Sequence, residues 1–187
     1  MREGCAWPTA KIVATIRRYW GFEALRPLQE PAIRAALEHR DSLVVLPTGG
    51  GKSLCYQVPP ELTKRTDIVV SPLISLMKDQ VDGLRACGYP ATALYGGLPP
   101  AAVRQAEAEI AAGRHRLVFV APERLLTSRF LELIASLEVR AFAIDEAHCI
   151  SHWGHDFRPE YRQLAALKQR FPRASLHAYT ATATQRV

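Results

Sequence analysis

Six short apolar runs, separated by segments with helical periodicity, constrain this chain more than any other feature of its sequence. The runs are Leu43–Leu46, Ile68–Val70, Ala91–Leu94, Leu117–Val120, Ala141–Ile144 and Ser175–Tyr179. Several are continuously apolar, the pattern of strands covered on both faces. Between them, Ile12, Val13, Ile16, Tyr19 and Trp20 form a helical stripe that Gly21 closes. Pro100–Ala112 is expected to be a helix stopped by Gly113, and Phe130, Leu131, Ile134 and Leu137 form a further stripe. Glu160–Arg170 is expected to run as one helix up to Phe171-Pro172, where proline ends it. Strand–helix alternation predicts an α/β fold with a parallel sheet and helices on both faces. At 187 residues, with no repeat, low-complexity segment or linker, the chain reads as a single domain.

The net charge of +6 and pI near 9.4 suit a polyanionic partner such as nucleic acid, although charge alone fits a merely basic protein equally well. Cys5, Cys55, Cys87 and Cys149 form no CxxC pair, so neither a disulfide framework nor a standard zinc finger is indicated, and a reducing compartment fits best. No apolar run approaches the ~20 residues needed to span a bilayer, and the N-terminus lacks the apolar core of a signal peptide, so no membrane association is expected.

The segment LVVLPTGGGKSLCYQ (43–57) passes from an apolar strand through Thr48, Gly49, Gly50 and Gly51 to Lys52, Ser53 and a helical start. Glycines let backbone N–H groups turn toward a phosphate without an intervening Cβ, and the following helix N-terminus adds a positive dipole end. Lys52 is placed to reach the β- and γ-phosphates of a nucleotide, and the Ser53 hydroxyl to ligate Mg²⁺. The general phosphate loop opens with a glycine at the position of Leu46; here it opens with Pro47-Thr48-Gly49, a form associated with helicase-type motors.

Asp145 and Glu146 follow an apolar strand in RAFAIDEAH, at the end of an open parallel sheet where ligands bind. The phosphate loop leaves its own strand at the same end, so the two sites are expected to face each other. Asp145 would then hold Mg²⁺ through water, and Glu146 would orient and deprotonate the attacking water. Taken alone, the pair also reads as a solvated acidic strand end. Beyond it, His148, Cys149, His152 and His155 are metal-ligand types at close spacing, which leaves zinc open on those residues alone. Trp153 and Phe157 suit stacking on unpaired bases, at ~1–3 kcal/mol per base, and Arg158 suits a phosphate; the competing reading is that one of the rings packs in the core.

LPTGGGKSLCYQ, SPLISLMKDQV (71–81), APERL (121–125), DEAHCISHWGHDFRPEY (145–161) and TATAT (180–184) resemble successive motifs of the RecQ-type DNA helicases of helicase superfamily 2. The resemblance runs from Trp20 to Thr184. DEAH is shared by many RNA and DNA helicases, whereas CIS-x-WGHDFRPEY is particular to RecQ proteins and disfavours a DEAH-type RNA helicase.

The resemblance implies a RecA-like P-loop NTPase domain, with N-terminal helices and an adenine-recognition motif over 1–40 and the phosphate-loop core over 41–187. By position in GFEALRPLQ, Phe22 and Arg26 would flank an adenine and Gln29 would bond its edge; Leu25 stands where the family usually carries Phe. The cofactors implied are ATP and Mg²⁺, with no zinc. The loop around Trp153 and Phe157 would sense single-stranded DNA, with His148 passing the change to neighbouring motifs, and Thr180 and Thr182 would link the ATP site to DNA. Ser71, Lys78, Glu123 and Arg124 would lie along the DNA track. The family unwinds DNA with 3′→5′ polarity in recombination and repair, acting on single-stranded and duplex DNA. Its second RecA-like domain, with the arginine finger, its zinc-binding subdomain and its winged helix are not within these 187 residues, so the chain alone is expected to bind ATP and DNA without unwinding. A non-enzymatic ATP- and DNA-binding fragment stays open. The expected location is cytoplasmic and nucleoid-associated in a bacterium, nuclear in a eukaryote.

Overall fold

The computed structural model of the chain describes residues 7–150 and 159–182. Six parallel strands, β1 (Ser42–Val45), β2 (Asp67–Val70), β3 (Ala91–Leu94), β4 (Leu117–Val120), β5 (Ala141–Ile144) and β6 (Ser175–Thr180), form one sheet in the order β1-β6-β5-β2-β4-β3. All six expected strands are present. β2, β4 and β5 are buried along their whole length, as continuously apolar strands in the middle of a two-sided sheet should be. LVVL departs from that expectation. Its strand, β1, lies at the sheet edge, and Leu43 and Val45 are exposed while Val44 is buried.

Helices cover both faces. On one, α3 (Lys52–Thr63) and α4 (Ile74–Ala86) bring Tyr56, Met77, Val81 and Leu84 against Val69, Phe119 and Tyr179. On the other, Ile110 of α5 (Pro100–Ala111), Leu125 of α6 (Pro122–Leu125), and Phe130 and Ile134 of α7 (Ser128–Ala135) pack on Val70, Val118 and Phe142. Tyr161 of α8 (Pro159–Gln163) and Leu167 of α9 (Ala166–Arg170) join that second layer. The expected single helix over 160–170 is therefore two short helices with a turn between them, and Leu137 of the expected stripe lies beyond the end of α7.

The N-terminal helices α1 (Thr9–Trp20) and α2 (Gln29–Leu37) form a third cluster with α3, through Ile12, Ile16, Ile33, Leu37, Leu54 and Val58. Gly21 ends α1 as expected: its φ is +72°, and its N–H donates to Arg17 O. Docking of α1 and α2 on α3 carries the segment 22–28 to the mouth of the phosphate loop. No helix among the described residues is long and apolar enough to cross a membrane.

Candidate active site

The phosphate loop leaves β1 at its C-terminal end and enters α3. Gly49 and Gly51 have φ of +76° and +83°, values that residues with a side chain rarely adopt, and Gly50 N–H closes a turn on Pro47 O at 2.8 Å. Gly51 has a second constraint: a Cβ there would collide with Gln29 Nε2. Lys52 Nζ donates to Leu46 O at 3.0 Å and to Pro47 O at 3.4 Å, so the ammonium folds over the loop that precedes it. Ser53 follows at the start of α3, where the dipole favours negative charge.

β5 delivers the acidic pair to the same place. Asp145 N–H donates to Val70 O at 2.9 Å and Tyr161 Oη donates to Asp145 O at 3.0 Å, which fixes the backbone between β2 and α8. Glu146 has a positive φ of 49°, an uncommon conformation for a non-glycine residue, and its N–H donates to Asp145 Oδ1 at 3.1 Å. Asp145 is buried, and burial together with the neighbouring Glu146 charge raises its carboxyl to about 6, against the opposing pull of Lys52 and His148.

Both walls line one cleft of about 510 Å³. Thr48, Gly49, Gly51, Lys52 and Ser53 form one side, Asp145 and Glu146 the other, and Phe22, Arg26 and Gln29 the rim. The sheet thus brings together residues nearly a hundred positions apart, and Ser53 and Asp145 offer hard oxygen donors of the kind that suit Mg²⁺. Phe22 is 49% exposed at the mouth. The Arg26 guanidinium donates to Gly49 O. Gln29 is buried, with Oε1 accepting from Arg26 N–H at 2.7 Å and Nε2 donating to Gly51 O at 3.1 Å. It therefore clamps the α1–α2 connection to the phosphate loop, a role the sequence did not disclose. Gln57 and Gln80 also line the cleft and were missed. Gln80 Oε1 accepts from Tyr56 Oη at 2.8 Å, a bond between α3 and α4 that no local pattern encodes.

The acidic pair is joined to the end of β6. In the 3-10 turn Ala147–Ile150, His148 Nδ1 is 3.2 Å from Glu146 Oε2 and 3.3 Å from Thr180 Oγ1. Thr180 Oγ1 in turn donates to Thr182 O at 2.8 Å. His152, Trp153, His155, Phe157 and Arg158 lie outside the described residues. Among the expected DNA-track residues, Ser71 is fully buried, Lys78 Nζ sits over the Tyr95 ring at 5.2 Å, and Arg124 pairs with buried Glu107 at 2.5 Å. Glu123 is exposed.

The structure superposes on the DUF1998 helicase MrfA with a TM-score of 0.72 at 18% identity, over 100% of this chain and 31% of that one. It superposes on a hypothetical ATP-dependent RNA helicase from Sulfolobus tokodaii with a TM-score of 0.64 at 20% identity, over 96% and 52%. These likenesses show the RecA-like fold. In sequence, the chain is 48% identical over 176 residues to the ATP-dependent DNA helicase RecQ of Haemophilus influenzae, over 94% of this chain and 28% of that one. It is 42% identical over 174 residues to the Bacillus subtilis RecQ, over 92% and 29%. It thus spans under a third of the length of these relatives. Residues 26–187 match the family described as DEAD/DEAH box helicase, a span that takes in both walls of the cleft, and the chain belongs to that family.

Proposed function

We propose that this chain is the first motor domain of a RecQ-type, ATP-dependent DNA helicase, coupling ATP hydrolysis to 3′→5′ movement on single-stranded DNA and to duplex unwinding. The observation that carries the reading is the one cleft in which Lys52 and Ser53 face Asp145 and Glu146, with Glu146 tied through His148 to Thr180. The identity to RecQ relatives over nearly the whole chain supports the DNA helicase class.

In this reading the loop N–H groups and the Lys52 ammonium hold the β- and γ-phosphates. Phe22 and Arg26 border the base at the rim, and Gln29 keeps the loop in register with them. Ser53 would ligate Mg²⁺ and Asp145 would hold it through water. When bound, Mg²⁺ neutralises charge on the phosphate oxygens. Glu146 accepts the proton of the attacking water, and its positive φ aims the carboxylate away from the course of β5 and toward the cleft. Thr180 and Thr182, one hydrogen bond beyond His148, relay occupancy of a DNA strand to Glu146. Trp153, Phe157 and Arg158 are proposed to contact that strand.

Steady-state ATP hydrolysis with and without single-stranded DNA, with RNA of the same length as control, tests the reading in the protein that carries this domain. Stimulation by DNA in excess of RNA is expected. Hydrolysis indifferent to both, or stimulated by RNA alone, would overturn it.

A further inference from the structure

The ATP cleft lies at the C-terminal end of the sheet; the opposite end carries a second site of a different character. Arg140 immediately precedes β5, Arg170 closes α9 and Arg173 lies two residues before β6. β5 and β6 are neighbours, and Ser175 binds Arg140 O through both its N–H (2.9 Å) and its hydroxyl (3.2 Å), so the entries to the two strands are stitched side by side. The three arginines line a groove of about 240 Å³ together with Phe171 and Pro172. Phe171 is seated by its ring contact with Phe142, centroids 5.2 Å apart, which holds the turn between α9 and β6 in place.

The charge of this groove is one-sided. Glu138, its side chain 80% exposed, is the carboxylate among the lining residues and forms a loose ion pair with Arg140 at 3.9 Å, which leaves one carboxylate against three guanidiniums. Arg170 and Arg173 have no carboxylate within ion-pair distance among the described residues. Some arginines elsewhere are matched, Arg65 by Asp67 and Arg124 and Arg129 by Glu107, while others such as Arg104 and Arg114 have no ion-pair partner among the described residues; what sets this groove apart is that three guanidiniums converge on it. At the end of α9, Arg170 also offsets the negative end of the helix dipole, which one cation suffices to do. Three guanidiniums around an apolar floor exceed that need.

We propose that this groove binds the phosphate backbone of single-stranded nucleic acid, separately from the ATP cleft. Guanidinium forks match phosphate oxygens in pairs, and exposed Pro172 beside the half-buried Phe171 offers an apolar surface to an unpaired base. A four-residue strand rising ~3.3 Å per residue separates the two ends of the sheet by roughly 13 Å, so a strand in the groove does not compete with nucleotide. The proposal rests on the charge and shape of the groove and is independent of the assignment of the ATP cleft.

The test is fluorescence anisotropy of a labelled oligothymidine on the chain, titrated over about 50–200 mM salt. The variants are the triple Arg140→Gln, Arg170→Gln, Arg173→Gln and the matching triple to Lys. Each phosphate contact on a single strand contributes about 0.7 to the log–log salt slope, so the Gln triple should flatten the slope by about 2 and weaken binding, while the Lys triple keeps the slope. Mg-ATP affinity should be the same in all three proteins, which reports that the fold is intact. If the Gln triple does not fold, Arg173→Gln alone, on an exposed turn, should flatten the slope by about 0.7. An unchanged slope overturns the proposal. So does groove-dependent binding of an oligoglutamate peptide with oligothymidine binding unaffected, which would assign the groove to an acidic protein partner.

Discussion

His148 Nδ1 stands between the Glu146 carboxylate, 3.2 Å away, and the Thr180 hydroxyl, 3.3 Å away. One imidazole thus joins the residue proposed to activate water to the end of a different strand. We propose that a displacement of Thr180 at the end of β6 reaches Glu146 through this imidazole. His148→Ala should leave Mg-ATP affinity within about twofold and lower DNA-stimulated hydrolysis roughly tenfold, the scale expected for a coupling residue. Nucleotide binding by calorimetry and phosphate release with and without single-stranded DNA measure the two. Equal loss of basal and stimulated rates would assign His148 to catalysis rather than to relay.

Lys52 carries the clearest binding test. A charge-assisted bond contributes about 1.5–3 kcal/mol, so Lys52→Ala should weaken Mg-ATP binding roughly 10- to 100-fold. The melting temperature without nucleotide should move little, because Lys52 spans only the local carbonyls of Leu46 and Pro47. Calorimetry and thermal melting check both. Unchanged affinity would remove the phosphate-loop assignment.

Much of this arrangement was legible in the sequence, for a physical reason. Central parallel strands must be apolar on both faces, so β2, β4 and β5 announce themselves, and the phosphate loop and acidic pair mark the strand ends by residue type alone. What was hidden depends on long-range packing. LVVL looks the same as a central strand, yet the order of the sheet leaves β1 at the edge with Leu43 and Val45 exposed. Gln29 reads as a base-binding amide, but its bonds to Arg26 N–H and Gly51 O exist only because α2 packs on α3. The break between α8 and α9 has no proline or glycine to signal it.

The clamp made by Gln29 predicts that Gly51 tolerates no side chain. Gly51→Ala combines a strained φ of +83° with a collision against a buried amide that is bonded at both ends. It should cost about 1–3 kcal/mol of stability and reduce Mg-ATP affinity at least tenfold. Gly49→Ala meets no neighbour and carries only the backbone strain, so it should be the milder change in chemical denaturation and in nucleotide binding.

Stability should depend on pH through His177, which is buried between Ser42 and Ser175, 2.8 Å and 2.7 Å from its two ring nitrogens. Burial, the largest influence, lowers it to about 4. From about 6.5 down to 4 the unfolded chain holds more protons than the native state, so this contribution is present above 6.5 and lost as pH falls. Asp67, raised by burial to about 6, acts with the opposite sign: its contribution is present below the ordinary carboxylate range and lost as pH rises through 6. Comparing wild type with His177→Gln cancels the Asp67 part. The deficit of the variant should be smaller at pH 5 than at pH 7 by about 2 kcal/mol in urea denaturation. An equal deficit at both pH values would mean that His177 is not held neutral.

Glu146 is the residue on which the proposed chemistry of the cleft most directly depends. Glu146→Gln keeps the size and polarity of the side chain and removes the base, so Mg-ATP should bind with near-normal affinity. Single-turnover phosphate release in the presence of single-stranded DNA, in the protein that carries this domain, should fall by a factor on the order of 10² or more. A variant that binds ATP and releases phosphate at close to the wild-type rate would contradict the assignment of this cleft.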